Sequence, residues 1–384
     1  MKLYFITRTY PSLDNGGGGI IRLGTITYLK DLGYDVWIIA PCTKTNKPII
    51  DYNNKQILIP FVKNKNLKLF FQHFGFIEDY LSDWAQRAYS FVQSIIRPED
   101  ILFVTSGGEI GTLILGSLIK DTIGSKLIIN LHDPISYATI NGEFTYKGNV
   151  YHVNRDHIEC KHLSKCDLVI TSSLTYKDSL QKKYPLLSDK IECNYFGYIN
   201  SIKNIARKKF KSPLNIVYGG AFGKFQSPEI LAEAVSNTNN VIATFIGDYR
   251  ENKKLHTYIN HSNINFINKM SQSDYINYII KYADVGFLSL KGSISNFCIP
   301  SKLYEYINVG LPILATIKGD AKDIIEKNGY GIVSDYKKEN LIKSINFLKD
   351  KITYENCVNN VLLDRDKWSM KHTIKDLDML IRRP

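Results

Sequence analysis

The feature that most constrains the fold is a pattern of short apolar runs, rich in β-branched and aromatic residues, that alternate with segments of helical length. In the first half of the chain the runs are 2–7, 36–40, 56–61, 101–105, 126–131 and 168–172. In the second half they are 214–220, 241–247, 264–268, 285–290, 312–316 and 331–334. Continuous apolar strands that alternate with helices are typical of parallel sheets covered on both faces. The pattern therefore predicts two doubly wound α/β domains.

The domain boundary is expected at the basic, aperiodic stretch 202–213, which ends in a proline. A chain of 384 residues is long enough for two such domains. We predict a first domain over 1–201, a linker over 202–213, a second domain over 214–363 and a terminal helix over 364–384. The helix has apolar residues on one face, which indicates that the face is buried. They are Trp368, Met370, Ile374, Leu377 and Leu380, at three- and four-residue spacing from Met370 onward.

Composition and charge narrow the class of protein. Six scattered cysteines without a C-x-x-C pair predict reduced thiols in a cytoplasmic protein. We expect neither a signal peptide nor a spanning helix, because the apolar runs are too short. The net charge of +12 favours anionic partners, which are nucleic acid, phosphorylated substrates or an acidic lipid surface such as the inner face of the plasma membrane. Nucleic acid is not expected as a partner, since no helix-turn-helix, RNA-recognition or zinc-finger signature occurs, and a basic nucleic-acid-binding protein is kept only as an alternative.

A glycine-rich segment follows the first strand, where ligands of open α/β sheets bind. Gly16–Gly19 precede a helix that we expect to begin near Ile20. Backbone amides at such a helix N-terminus can bind phosphate, which makes Gly17 and Gly18 candidate ligands. Because the segment is neither G-x-G-x-x-G nor a Walker A sequence, a plain surface loop is the alternative.

The most informative segment is FCIPSKLYEYINVGLPILAT, residues 297–316. Ser301 is the expected N-cap of a short helix, and Gly310 is expected just after its C-cap. Glu305 then lies in the first turns, where its carboxylate can accept two hydroxyl hydrogen bonds. The free amides after Pro300 can face a phosphate at the same end. A solvated glutamate on an ordinary helix is the alternative.

This segment resembles the donor-site signature of GT-B glycosyltransferases, especially glycosyltransferase family 4 enzymes of the bacterial surface-glycan type. The resemblance implies that Glu305 binds the ribose hydroxyls of a nucleotide. It also implies that the segment with Pro300, Ser301 and Lys302 holds the diphosphate.

Other segments are similar to the same family. FIGDY at 245–249 and the segment 264–290 resemble its base-binding strand and loop, which makes Gly247, Asp248 and Met270 candidate donor ligands. PSLDNGGGG resembles its glycine loop, and RDKWSMKHTIKDL resembles the last helix, which crosses back onto the first domain.

The resemblance implies a GT-B fold, in which two Rossmann-like domains face each other across a cleft. The second domain would hold a nucleoside diphosphate sugar, with a UDP-sugar favoured, and the first would hold a glycan or lipid-linked glycan acceptor. Transfer to an acceptor hydroxyl would retain the anomeric configuration and need neither a metal nor a cofactor. A nucleotide-sugar 2-epimerase on the same fold is the alternative.

The chain departs from the family pattern at two places. Phe297 stands where the family often has an additional glutamate, so recognition of the sugar hydroxyls must differ. After the first strand of the second domain the sequence is YGGAFGKFQ, with a lysine but no arginine. Lys224 is therefore the candidate for the diphosphate, and Gly219 and Gly220 would let the backbone approach it.

Candidate catalytic residues follow strands of the first domain. His132 and Asp133 follow the strand 126–131, and His132 is expected to face the donor sugar or to be a structural histidine. Glu109 follows another strand and could act on the acceptor or merely pair with a helix dipole. The histidines and cysteines of 157–166 have no zinc-like spacing, so we expect no metal site there.

The segment 61–91 mixes lysines with large aromatic residues. The mixture favours peripheral contact with anionic lipid, acceptor binding or core packing. Its basic residues are Lys63, Lys65 and Lys68, and its aromatic residues include Phe70, Phe71, Phe74, Phe76 and Trp84.

Overall fold

The computed structural model describes residues 1–8, 17–61, 67–68, 70–71, 76–135, 139–140, 143–144, 150–223 and 225–383. For 17, 139–140, 143–144, 150–155 and 294 the description is limited to the backbone. The chain divides into two compact units. The first comprises Met1–Ala138, Phe144–Phe196 and Thr373–Pro384, and the second comprises Thr139–Glu143 and Gly197–His372.

The strands of the first part of the chain are β1 Leu3–Ile6, β2 Val36–Cys42, β3 Ile49–Asp51, β4 Gln56–Pro60, β5 Ile101–Gly107, β6 Lys126–Asp133, β7 Thr139–Ile140, β8 Glu143–Phe144, β9 Leu168–Thr171 and β10 Ile191–Cys193. Eight of them form one sheet in the order β10-β9-β6-β5-β1-β2-β4-β3. All neighbours in this sheet are parallel except β3 and β4. The helices of the first unit are α1 Gly17–Asp31, α2 Ser82–Val92, α3 Gly111–Ile123, α4 Val150–Leu163 and α5 Leu174–Lys183. The last helix, α12 Met370–Ile381, belongs to the first unit from Thr373 onward.

The second unit is built on six parallel strands, which are β11 Leu214–Gly219, β12 Val241–Ile246, β13 Ile264–Ile267, β14 Val285–Ser289, β15 Ile313–Thr316 and β16 Gly331–Val333. Their order is β13-β12-β11-β14-β15-β16. The helices are α6 Glu229–Val235, α7 Gln272–Tyr282, α8 Ser301–Asn308, α9 Gly319–Lys327, α10 Lys338–Leu348 and α11 Lys351–Asp364. Short 3-10 turns complete the unit at Tyr249–Glu251, Lys253–Tyr258, Ser293–Asn296 and Arg365–Trp368.

Each predicted apolar run is a strand in the structure, so both predicted parallel sheets are confirmed. The central strands β1 and β14 are fully buried and β5 is buried up to Gly107, as expected for parallel strands covered by helices on both faces. The three-residue strands β3 and β10 were not predicted, since strands this short leave no periodic signal. The stretch 202–213 contains neither helix nor strand.

The terminal helix differs from the prediction at its start. Arg365–Trp368 forms a 3-10 turn and Ser369 is extended, so α12 begins at Met370. The predicted face is confirmed as buried from Trp368 to Leu380. Ile374, Leu377 and Leu380 join the core of the first sheet. No helix in the described ranges combines the length and the apolar composition needed to cross a bilayer.

Candidate functional site

The carboxyl ends of β11 and β12 approach each other through two glycines. The Gly220 amide donates to the Ile246 carbonyl at 3.2 Å, and the Gly247 amide donates to the Ile267 carbonyl at 3.0 Å. Gly220 has φ +153° and Gly247 has φ +142°, conformations that side-chain-bearing residues rarely adopt. A Cβ at Gly247 would lie 2.6 Å from the Gly220 carbonyl oxygen. Glycine at 247 is therefore required by this close approach.

Two buried tyrosines lie beneath this edge of the second sheet. A Cβ at Gly219 would overlap the Tyr275 ring, and a Cβ at Gly286 would overlap the Tyr306 ring. The two phenol oxygens are 3.2 Å apart, which joins α7 to α8. Burial raises the pKa of Tyr275 well above 10, so its phenol is neutral. The missing side chain at Gly219 makes room for Tyr275, and approach to a diphosphate stays a prediction.

Helix α8 begins at the predicted segment, but its cap differs by one residue. Pro300 is the extended N-cap and Ser301 is already helical, so the prediction of Ser301 as N-cap was wrong. Proline fixes φ at a value compatible with this position, and no side-chain cap forms. Gly310 follows the C-cap with φ +68°, as predicted. Its amide donates to the Ile307 carbonyl at 3.1 Å, which closes the helix.

Both carboxylate oxygens of Glu305 accept hydrogen bonds. Lys302 Nζ donates to Oε2 at 2.7 Å, and Gln272 Nε2 donates to Oε1 at 2.9 Å. Lys302 Nζ also lies 4.0 Å from the centre of the Tyr275 ring, a cation–π contact. The Glu305 side chain is 15% exposed and both of its oxygens accept hydrogen bonds, and its role in binding ribose stays a prediction.

Gln272 is a site residue that sequence reasoning missed. It is the first residue of α7 and follows the N-cap Ser271, whose hydroxyl accepts from the Asp274 amide. Its place directly after the predicted base loop was the available signal, but its contact with Glu305 spans 33 positions along the chain.

The remaining donor-site candidates lie at the same edge of the second sheet. Asp248 follows β12 and is exposed, and Met270 is half-buried just before α7. Lys224 lies outside the described residues, and its proposed contact with the diphosphate stays a prediction.

The first unit has a buried charged cluster at the carboxyl ends of β1 and β5. Glu109 Oε2 accepts from the Gly107 amide at 2.9 Å and lies 3.7 Å from Arg8 Nε. Glu109 Oε1 lies 3.6 Å from Arg22 Nη2, and both side chains are at most 3% exposed. Arg22 Nε donates to Thr105 Oγ1 at 3.2 Å. Glu109 is therefore an anchor for two guanidinium groups.

The same cluster includes Asp133 and the start of α1. A Cβ placed on Gly107 would lie 3.4 Å from Arg22 Nη2 and 3.5 Å from Asp133 Oδ2. A Cβ on Gly18 would lie 3.3 Å from Arg22 Nη1. The predicted helix begins at Gly17 rather than near Ile20, so Gly17 and Gly18 are its first residues. Arg8 and Arg22 were not among the candidates, although Arg22 follows Gly18 by one helical turn.

His132 and Asp133 are the last two residues of β6. The His132 ring is buried, with its centre 4.5 Å from that of the Phe196 ring. Ser172 Oγ donates to the His132 carbonyl at 2.9 Å. Burial, together with the charge of Arg22, holds the pKa of His132 well below 6.5. The imidazole is therefore neutral at pH 7.

The histidines and cysteines of 157–166 contact separate partners. His162 Nδ1 is 2.8 Å from Ser117 Oγ, and its Nε2 is 3.4 Å from Glu78 Oε2. The hydrogen bond from His162 lowers the pKa of Glu78 to about 2. Cys166 Sγ donates to the Leu163 carbonyl. Within the described part of the chain no group of three or more His, Cys, Asp or Glu could hold a metal ion.

The segment 61–91 separates into a buried and an exposed part. Trp84 is fully buried in the core, whereas Phe70, Phe71 and Phe76 are 54%, 39% and 72% exposed. Lys68 pairs with Asp83 at 2.9 Å. The other predicted members, Lys63, Lys65 and Phe74, lie outside the described residues.

Comparisons with known proteins identify similar sequences and folds. Residues 201–362 match the family model described as glycosyl transferases group 1. No curated protein was found to match the chain. Sucrose-phosphate synthase from Thermosynechococcus elongatus is similar in structure, with a TM-score of 0.71, 12% identity, and coverage of 100% of this chain and 98% of that one.

Two further structures are similar over almost their whole length. The lipopolysaccharide outer core galactosyltransferase WaaB has a TM-score of 0.66 and 13% identity, with 99% of each chain covered. Anabaena HepE, solved in complex with UDP-glucose, has a TM-score of 0.63 and 13% identity, with 99% of this chain and 98% of that one covered.

At identities this low the structural similarities establish the fold, and the family match establishes the class of activity. The match includes α8 with Glu305. The chain is therefore a glycosyltransferase with the GT-B fold, and its residues 201–362 match the model of group 1 glycosyl transferases.

Proposed function

We propose that this enzyme transfers a sugar from a nucleoside diphosphate sugar, with UDP-sugar favoured, to a hydroxyl of a glycan or lipid-linked glycan in bacterial surface polysaccharide synthesis. The observation that supports this proposal most is that the Glu305 carboxylate, near the start of α8, accepts hydrogen bonds from Lys302 and Gln272. A fixed, largely buried carboxylate is suited to accept hydrogen bonds from two adjacent hydroxyls. Ribose offers such a pair.

The beginning of α8 supplies the second half of the proposed nucleotide site. Helix N-termini attract anions because their amides and the helix dipole point at the ligand. We assign the diphosphate to the amides after Pro300, with Lys224 as a further positive group. In this proposal the chain's own donors stabilise charge on the leaving diphosphate, and no metal ion is required.

The donor and the acceptor class are proposed from similar proteins. HepE was solved with UDP-glucose, which supports a UDP-sugar as donor. WaaB is a lipopolysaccharide outer core galactosyltransferase, which supports a surface-glycan acceptor. We place acceptor recognition on the first unit, because the matched donor region lies in the second.

In the first unit we assign His132 to contact with the donor sugar. A neutral imidazole can accept or donate a hydrogen bond without introducing charge near the reacting carbon. During transfer the bond between the anomeric carbon and the leaving phosphate oxygen breaks, and a bond to the acceptor oxygen forms. The diphosphate leaves with the electron pair and its freed oxygen takes the proton of the acceptor hydroxyl, and we propose retention of configuration. Asp133 would be the general base if the enzyme inverts, since Glu109 anchors Arg8 and Arg22.

We also propose peripheral contact of the first unit with anionic lipid at the inner face of the plasma membrane. The exposed ring of Phe71 makes edge-to-face contacts with the exposed rings of Phe70 and Phe76, so the three residues form one aromatic cluster. Such rings can enter the headgroup region of a bilayer.

The experiment that tests the proposed function is calorimetric titration of UDP into wild type and Glu305→Ala. Loss of the hydrogen bonds to ribose should weaken UDP binding by about 1 to 3 kcal/mol. A matched control is Glu326→Ala, because Glu326 also pairs with a lysine on a helix of the second unit but is 44% exposed. A folded Glu305→Ala protein that binds UDP like wild type would contradict the assignment. A thermal-shift panel of nucleoside diphosphates identifies the base.

A further inference from the structure

We infer that Gln272 is a positioning residue for ribose recognition, an inference that rests on the nucleotide-binding role proposed for Glu305. Its amide fixes the Glu305 carboxylate from α7, while Lys302 fixes the other oxygen from within α8. The carboxylate is therefore held from two helices that are separate in sequence. Gln272 carries no charge, so it orients Glu305 without neutralising it.

The number of hydrogen bonds that the Glu305 carboxylate can accept explains why the contact with Gln272 matters for ribose binding. A carboxylate has about four lone-pair positions, two on each oxygen. Gln272 occupies one position on Oε1 and Lys302 occupies one on Oε2. One position then remains on each oxygen, which matches the two adjacent hydroxyls of ribose. Because both oxygens are held, the carboxylate plane cannot rotate freely away from the diol.

Gln272 is itself held in place by the start of α7. Ser271 caps the helix by accepting from the Asp274 amide at 3.1 Å, and it donates to the Asp274 carboxylate at 2.6 Å. One turn later, Tyr275 contacts Tyr306 of α8. The backbone of Gln272 is thus fixed relative to α8, and its side chain reaches Glu305 without being buried.

This arrangement connects the predicted base loop with the ribose-binding carboxylate. Met270 and Gln272 are two residues apart at the junction of the loop and α7. Gln272 acts on the nucleotide through its hydrogen bond to the Glu305 carboxylate. It therefore contributes to affinity only through the ribose hydroxyls, and this property separates it from a merely structural residue.

The test compares UDP with 2′,3′-dideoxy-UDP by calorimetry in wild type, Gln272→Ala and Gln272→Glu. Gln272→Ala should weaken UDP binding about three- to tenfold, the value of one hydrogen bond, and change dideoxy-UDP binding less than twofold. Gln272→Glu should weaken UDP binding further, because a second carboxylate would replace the donor beside Glu305. Ser273→Ala, an exposed neighbour on α7, is the control and should bind both ligands like wild type.

Two outcomes would overturn the inference. One is an equal loss of UDP and dideoxy-UDP affinity in Gln272→Ala, which would indicate a general structural effect. The other is unchanged UDP binding in both Gln272 variants while Glu305→Ala binds UDP weakly, which would leave the proposed function intact. Normal UDP binding by Glu305→Ala would instead contradict the proposed function itself, so the two failures are distinguishable.

Discussion

The polar sites of the two units are assembled over different distances along the chain. In the second unit Lys302 and Glu305 lie one helical turn apart, inside a segment that a family model matches. In the first unit Arg22, Glu109 and Asp133 come from α1, the end of β5 and the end of β6, outside that match. A site contained in one loop and helix can be recognised from sequence, whereas a site formed by distant strand ends becomes visible only when the sheet is known.

The largest expected effect tests whether the first unit contributes to chemistry at all. His132→Ala should lower turnover by about 10² to 10⁴, the typical effect of losing a positioned polar group. UDP affinity should change little, because the nucleotide is assigned to the second unit. Steady-state kinetics with the donor and acceptor, together with calorimetry, measure both quantities.

Asp133→Asn and Glu109→Gln should be assayed beside His132→Ala. A large loss in Asp133→Asn alone would identify Asp133 as general base and favour inversion. Near-normal turnover in His132→Ala would mean that His132 is a structural histidine. The difference between the two units would then concern the packing of polar residues and not catalysis.

The second prediction concerns the buried charged cluster of the first unit. Arg22→Met removes one partner of an ion pair whose side chains are at most 3% exposed. Breaking a buried pair typically costs about 3 to 5 kcal/mol, and we expect the lower end of that range because Glu109 keeps Arg8 as a second cationic neighbour at 3.7 Å. Urea unfolding measures the loss, and the double variant Arg22→Met/Glu109→Gln should be more stable than the sum of the single changes predicts.

The control is Arg382→Met, which breaks the 2.8 Å contact with Asp378 on the surface, where Arg382 is 62% exposed. Exposed pairs contribute about 0 to 1 kcal/mol. An equal decrease in the free energy of unfolding in Arg22→Met and Arg382→Met would contradict this prediction, because the buried Arg22–Glu109 pair would then contribute no more than an exposed pair.

A third prediction follows from the depressed pKa of His132. Below its usual pKa of 6.5 the unfolded chain binds a proton at His132 that the folded protein does not. Stability therefore falls as the pH decreases below 6.5, by at most about 1.4 kcal/mol per pH unit. His132→Gln should flatten this dependence between pH 7.5 and 5.5. An identical pH slope in His132→Gln would contradict the assignment of a buried neutral imidazole.

The smallest expected effect concerns the aromatic cluster. The protein should co-sediment with vesicles that contain acidic lipid, and added salt should release it. Phe70→Ser/Phe76→Ser should bind less, because both rings are exposed. Binding that is equal for neutral and acidic vesicles, or absent for both, would return this segment to the acceptor-binding hypothesis.

Sequence alone predicted the layered fold because buried parallel strands such as β5 and β14 are continuous apolar runs. It did not predict β3, which gains its order from antiparallel pairing with β4. Glu305 was predicted because its motif is local. Gln272 and Arg22 were not predicted. Their partners lie far away along the chain, so no spacing in the sequence indicates the contact.

The packing of Tyr275 against Gly219 has a consequence for sequence divergence. A Cβ at 219 would overlap the Tyr275 ring, so the side chains at positions 219 and 275 compete for the same space. In any descendant chain a side chain at 219 should appear together with a smaller residue at 275, and the phenol link to Tyr306 would then be lost. Substitution at either position alone should be disfavoured, so residues 219 and 275 should change together during evolution.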